Sequence, residues 1–171
     1  MIEIKIRRSD RRKRTVSARL VGGTMFVNAP ADIPEPRLQE IIEQLKRRLE
    51  KRKLKRELNQ KENLMAIYQK LNAQYFNNAI PVRSIEYSTE QSKKWGVCNI
   101  KNRSIRISHR LSAMPEWVRD YVIVHEMAHL VFPNHSEKFW QLVNRYKLAE
   151  RARGYLIAKG YEDTNESDVE D

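Results

Sequence analysis

Two histidines four residues apart constrain this chain more than any other feature. His125 and His129 enclose the pentad H-E-M-A-H, and residues four apart on a helix lie one turn apart on the same face. Their imidazoles can therefore bind one metal ion, while Glu126 projects about 100° away around the helix. A carboxylate at that position can accept a proton from a metal-bound water, as the general base of a zinc hydrolase does. The pentad thus predicts a catalytic metal site.

The residues around the pentad favour a buried helix. Pro115 and Glu116 are typical of a helix start, because proline fits the first turn and an acid suits the positive end of the helix dipole. Pro133 predicts the end of the helix. Apolar residues are nearly continuous between these points, so the helix should be buried on most sides. Imidazoles and a carboxylate in such a helix need partners, which a bound metal supplies.

A third ligand is expected after a chain reversal at Pro133. His135 can turn back toward the pair, and three histidines with one open position form a catalytic rather than a structural zinc site. Three of the four histidines in the chain lie within the eleven residues from His125 to His135. An accidental pentad is therefore the weaker interpretation. Glu137 is the alternative ligand, although it also fits a capping box with Asn134. The predicted ligands of one zinc ion per chain are His125, His129 and His135.

Several motifs resemble those of the YgjP-like metallopeptidase family, within the broader group of SprT- and WLM-like zincins. They are W-G-V-C at residues 95–98, I-R-I-S at 105–108, P-E-W at 115–117, Y-V-I-V-H-E-M-A-H at 121–129, and N-H-S at 134–136 followed by Phe139 and Trp140. The resemblance is close from about residue 63 to 160 and looser over residues 2–36. Val97 stands where the family usually has a serine. The resemblance implies zinc-dependent hydrolysis of peptide bonds, with Trp95, Gly96 and Cys98 bordering the cleft.

Two alternative functions remain open. The same activated water can attack phosphorus, and the family resemblance leaves room for a nucleoside triphosphate pyrophosphohydrolase, although the chain has no P-loop and no acidic cluster for Mg²⁺. The SprT-like resemblance suggests a nucleic-acid-associated protease. Residues 7–14 and 46–56 are strongly basic but contain no aromatic residue to stack on bases. Weak electrostatic binding of nucleic acid or nucleotides through the N-terminal half is therefore expected rather than specific recognition.

Composition narrows the setting of the protein. The net charge is +11, and residues 1–62 hold 18 Lys and Arg against nine Asp and Glu. A single cysteine excludes an internal disulfide and fits a reducing compartment. The charged N-terminus does not resemble a secretory signal, and no apolar run approaches the length of a membrane helix. We therefore expect a cytoplasmic protein that acts on a peptide or protein and does not contact a membrane.

The pattern of the chain predicts an α+β fold in four segments. Residues 1–36 alternate as antiparallel strands with a hairpin turn at Gly22 and Gly23, and residues 37–62 form a basic amphipathic helix. Residues 63–161 form a small zincin-like hydrolase domain. Residues 162–171, with six acids, are expected to be a disordered tail. The fold class is a small zincin-like metallopeptidase domain with an N-terminal antiparallel β-hairpin region and a basic linking helix.

Some details of these segments are less constrained. No proline or glycine separates Pro36 from Pro81, so one long bent helix or two abutting helices both fit. Residues 104–108 form a strand that is a candidate edge for an extended substrate, and residues 136–151 a helix. His109 is interpreted as a loop histidine and Cys98 as a small buried residue. The candidates for stabilising the oxyanion are Tyr146, Arg153 and Tyr155.

Overall fold

The computed structural model describes residues 3–160 and the backbone of Val169 and Glu170. Helices and two sheets are mixed, which confirms the predicted α+β class. The chain divides into two compact units, and the division lies within the first helix, between Leu54 and Lys55. The described elements are β1 (Glu3–Ser9), β2 (Ser17–Val21), β3 (Thr24–Pro30), α1 (Glu35–Lys61), α2 (Leu64–Phe76), β4 (Ser84–Ser88), β5 (Gly96–Asn99), β6 (Ser104–Ser108), α3 (Glu116–His129), α4 (Glu137–Val143), α5 (Ala149–Ala158) and β7 (Val169–Glu170), with a 3-10 helix at His109–Ala113.

The first unit contains a three-stranded sheet in the order β1-β3-β2. The predicted hairpin is present, because β2 and β3 are antiparallel and are joined by Gly22 and Gly23. Both glycines have positive φ angles, 56° and 86°, which is the conformation that a tight two-residue hairpin turn of type I′ requires. The prediction of an entirely antiparallel sheet was wrong, since β1 runs parallel to β3. Alternating residues predict a strand but do not determine which strand becomes its neighbour.

The core of the first unit lies between this sheet and α1. Three residues of β3 and two of α1 are buried in it, namely Met25, Val27, Ala29, Leu38 and Ile42. The two residues of α1 are four positions apart, as the predicted amphipathic spacing requires. Of the two helical arrangements that fitted the sequence, the structure has two separate helices. The amide of Ala66 donates a hydrogen bond to the side chain of Asn63, which caps the second helix, α2.

The second unit contains a four-stranded sheet in the order β4-β6-β5-β7. The strand predicted as the substrate edge, Ser104–Ser108, is β6, and it pairs with β4 on one side and β5 on the other. That prediction was wrong because both main-chain edges of β6 are already used. Ile105 and Ile107 of this strand are fully buried. Alternation of this kind reports a buried face of the sheet, and it does not distinguish an edge strand from a central one.

Helix α3 lies at the centre of the second unit and carries the pentad. Eleven of its fourteen residues are buried, which confirms the prediction of burial on most sides. It begins after Pro115, as predicted, and ends at His129, four residues before Pro133. The helix has therefore already ended when the chain reaches Pro133, and the proline lies in the loop after it.

The chain after α3 differs from the predicted single helix over residues 136–151. Helix α4 ends at Val143, and the next helix, α5, begins at Ala149. Val143 is buried at the end of α4 and Tyr146 is buried within the turn that follows it, so the apolar pattern continues through a turn as well as through a helix. The predicted disordered tail lies outside the described residues except for Val169 and Glu170, which pair with Cys98 and Asn99 of β5. Among the described residues no helix is long and apolar enough to cross a membrane.

A buried ion-pair cluster holds α3 in the second unit. The guanidinium of Arg119 donates to the carboxylates of Glu62 and Asp120, and its side chain is only 8% exposed. The hydroxyl of Tyr87 donates to Glu62. Burial raises the pKa of Tyr87, and the hydrogen bond to Glu62 raises it further. Tyr87 therefore remains a neutral hydrogen-bond donor. In this cluster the guanidinium of Arg119 faces the two carboxylates of Glu62 and Asp120.

We expect replacement of Arg119 by Met to destabilise the fold by about 3 kcal/mol, since two partly buried carboxylates would lose their cation. Lys55 is the matched control, because its ion pair with Glu86 is about 40% exposed on both sides, and its replacement by Met should cost less than about 1 kcal/mol. Urea unfolding of both variants measures the difference. Equal losses would show that the Arg119 cluster stabilises the unit no more than an exposed ion pair does.

Candidate metal centre

The two histidines of the pentad meet on one face of α3. The Nε2 atom of His129 lies 3.2 Å from the Nε2 atom of His125. Both side chains are buried, with exposed fractions of 0% and 4%. The helix alone produces this arrangement, since it places residues i and i+4 over one another.

His135 reaches the same point from the loop after α3. Its Nε2 atom also lies 3.2 Å from the Nε2 atom of His125, so the three predicted ligands are brought together. Glu137, the alternative ligand, is outside this cluster, and its carboxylate accepts a hydrogen bond from Gln141 on the exposed surface. The predicted capping box was also wrong, because Ser136 rather than Asn134 caps α4.

The three imidazoles fit a tetrahedral metal ion. Two nitrogen ligands of zinc, each about 2.0–2.1 Å from the ion, lie about 3.3 Å apart, close to the 3.2 Å separations here. A single Nε2 atom offers one hydrogen or one lone pair, so a shared cation accounts for both short separations from His125 more simply than hydrogen bonds do. Three nitrogen donors leave a fourth tetrahedral position for water or substrate.

A backbone carbonyl orients one of these ligands. The Nδ1 atom of His129 lies 3.3 Å from the carbonyl oxygen of Phe132. A carbonyl oxygen only accepts, so Nδ1 carries the proton and donates it, which leaves the Nε2 lone pair directed at the metal position. The turn immediately after α3 thus fixes the tautomer of a ligand on α3. This contact could not be predicted from the sequence, because any residue at position 132 has a carbonyl.

Glu126 is held against strand β5. Its side chain is 1% exposed. A Cβ atom added to Gly96 would overlap Oε1 of Glu126 and would lie 2.7 Å from both Cγ and Cδ, distances that real side chains do not adopt. Gly96 therefore allows a close approach to the backbone, and the group that approaches is the carboxylate of the pentad. The absence of a side chain at position 96 determines where Glu126 can lie.

Phe139 and Trp140 line the site, whereas the sequence indicated them only as part of the family resemblance. The ring of Phe139 lies 4.5–4.9 Å from the ring centres of all three histidines and is fully buried. Trp140 stacks on His135, with 5.4 Å between ring centres and 18° between planes. These two residues follow His135 by four and five positions, and the turn at Ser136 brings them back over the ligands. The short spacing from His135 is the feature of the sequence that could have indicated this.

The other candidate residues lie elsewhere in the second unit. His109 contacts the carbonyl oxygen of Ser88 and is outside the histidine cluster. Cys98 is fully buried, as predicted for a small core residue. The hydroxyl of Tyr146 donates to the carbonyl of Trp117, and Tyr155 packs edge-on against Trp117. Arg153 lies over the ring of Trp140.

The chain is similar to a known protein family and to a solved structure. The family described as "YgjP-like, metallopeptidase domain" matches residues 57–148, which is more than half of the chain and includes every histidine of the cluster. The chain also resembles the crystal structure of the metallopeptidase zymogen abylysin of Pyrococcus abyssi, with a TM-score of 0.47 and 19% identity over 56% of this chain and 92% of that chain. Comparison with curated proteins found no similar sequence. The chain belongs to the YgjP-like metallopeptidase family and is a metal-dependent hydrolase.

Proposed function

We propose that this protein is a zinc-dependent peptidase. Zinc would be held by His125, His129 and His135, with one ion per chain, and Glu126 would act as the general base. The observation that carries the proposal is the convergence of one ring nitrogen from each of three histidines, all within 4.8 Å of one another, together with a buried carboxylate next to His125 in the same helix. Nitrogen donors with an open fourth position are the ligand set of catalytic zinc.

When bound by these three histidines, the ion would supply Lewis acidity, which lowers the pKa of a water in the open position and polarises the carbonyl of the substrate. Glu126 accepts the proton of the attacking water and returns it to the leaving nitrogen. Gly96 provides the space in which this carboxylate lies. Phe139 covers the rings of the ligands and excludes water from that side, which strengthens electrostatic interactions within the site.

We also propose that an extended peptide binds along the outer edge of β5. One side of β5 pairs with β6, and on the other side β7 pairs only with Cys98 and Asn99. No described strand pairs with Gly96 or Val97 on that side. Main-chain hydrogen bonds at these two residues would hold a peptide beside Glu126, because Gly96 is in direct contact with that carboxylate.

The two alternatives from the sequence remain predictions. Residues 7–14 and 46–56 are basic, but neither the family match nor the histidine cluster supports nucleic-acid binding. Activity on nucleoside triphosphates requires the same metal centre. Only a comparison of substrates on one sample can therefore separate peptide from phosphate chemistry.

Metal analysis and a substrate screen on three proteins test the proposal. We expect wild type to hold one zinc per chain and to cleave unfolded protein. Replacement of His129 by Ala should remove both the metal and the activity, since a buried ligand is lost. Replacement of Glu126 by Gln should keep the metal and lower kcat at least about a thousandfold, because only the general base is lost.

Three results would contradict the proposal in different ways. Wild type that binds no zinc would exclude the metal centre. Full activity of Glu126→Gln would exclude Glu126 as the base. Cleavage of nucleoside triphosphates but not of protein, abolished by His129→Ala, would replace the peptidase by the pyrophosphohydrolase alternative.

Replacement of Gly96 by Ala should displace the carboxylate of Glu126 and lower kcat at least about a hundredfold while the zinc content remains one per chain. The matched control is Gly154→Ala, because nothing lies within 4 Å of the added Cβ there, and alanine in a helix is slightly stabilising. Steady-state kinetics together with elemental analysis distinguish the two variants. Normal activity of Gly96→Ala would mean that Glu126 does not act from its observed position.

A further inference from the structure

The three histidines of the metal centre are supported unequally. His125 and His129 belong to α3, whose backbone fixes their positions, and the ring of His129 is oriented further by the carbonyl of Phe132. His135 lies in the loop between α3 and α4, and its side chain is only partly buried. The orientation of this ligand therefore depends on side-chain contacts with the elements around it.

Two side chains stack in succession on His135. Trp140 lies nearly parallel to the imidazole, at 18°, with 5.4 Å between ring centres. The guanidinium carbon of Arg153 lies 4.6 Å from the centre of the Trp140 ring, which is within the range of a cation–π contact. The result is a stack of guanidinium, indole and imidazole that joins α5 and α4 to the loop ligand.

The same helix carries a nearly identical contact away from the metal centre. The guanidinium carbon of Arg151 lies 4.7 Å from the ring centre of Trp117, and that indole packs edge-on against Tyr155. The two arginines are two residues apart, so they leave α5 on nearly opposite sides. Only the contact of Arg153 continues through its tryptophan to a histidine of the cluster.

We infer that Arg153 and Trp140 position His135 and thereby set the affinity of the metal centre. Trp140 limits the rotation of the imidazole, and Arg153 limits the movement of Trp140 in turn. Both are positioning residues, because Trp140 stacks on His135 and Arg153 reaches that histidine through the indole. The inference rests on the proposed zinc ligands, and it extends the metal centre to α5, an element that contributes no ligand.

Zinc affinity measured by competition with a chelator tests this inference. We expect Arg153→Gln to weaken zinc binding about threefold to tenfold, in keeping with the strength of a partly desolvated cation–π contact. Arg153→Lys keeps a cation and should restore most of the affinity. Trp140→Leu removes both contacts and should weaken binding more than Arg153→Gln does.

Arg151→Gln is the control for helix stability. It removes a cation–π contact of the same length from the same helix, so the melting temperature of zinc-free protein should fall about equally in Arg151→Gln and Arg153→Gln. Only Arg153→Gln should lose zinc affinity. Glu150→Gln is the second control, since it removes the 3.3 Å ion pair of Arg153 with Glu150, whose side chain is 78% exposed, and leaves the stack in place.

The outcomes separate this inference from the proposed function. Wild-type affinity in Arg153→Gln, with one zinc bound per chain, would overturn the positioning role and leave the metal centre intact. Equal loss of affinity in Arg151→Gln would also overturn it, because the effect would then belong to the stability of α5. Wild type that binds no zinc would overturn both the metal centre and the stack that supports it.

Discussion

The structure of the second unit depends on the burial of two imidazoles and a carboxylate in the middle of an apolar helix. A buried polar group without a partner costs free energy that a small domain cannot easily offset. The elements around α3 accordingly contact its polar side chains or leave space for them. The turn after the helix supplies the carbonyl of Phe132, the loop supplies His135, and strand β5 supplies the space at Gly96.

Helix α3 is also held by a second set of buried charges, which lies between one and two turns before the histidine pair. Arg119 faces two carboxylates, one beside it in α3 and one at Glu62. Helix α3 thus carries both an anchoring cluster and the histidine pair. Since Arg119 and the histidine pair lie on the same helix, a fixed rise per residue relates the position of Arg119 to that of the two imidazoles. A rigid support of this kind suits a metal centre, because its ligand atoms must stay within a few tenths of an ångström of their binding positions.

The sequence was most informative where a single local rule determined the structure. The spacing of His125 and His129 placed two rings on one helical face, and the φ freedom of Gly22 and Gly23 produced the hairpin turn. It was least informative about neighbours in space. The alternation in residues 104–108 was read correctly as a strand, but its central place in the sheet depends on β4 and β5. The contact of Phe132 uses a backbone carbonyl, and the stack of Arg153 joins residues from separate helices, so neither has a local pattern.

Gly96 has a consequence for how related sequences are interpreted. The absence of a side chain there is complementary to the carboxylate on α3, so the two positions form a matched pair across the strand and the helix. A homologue that keeps the H-E-x-x-H pentad but carries a larger residue at this strand position would hold metal in a centre without a correctly placed base. Under the proposed mechanism such a protein would have lower activity than the pentad alone would predict. The strand position therefore gives a criterion, readable from sequence, for separating catalytic members from metal-binding ones.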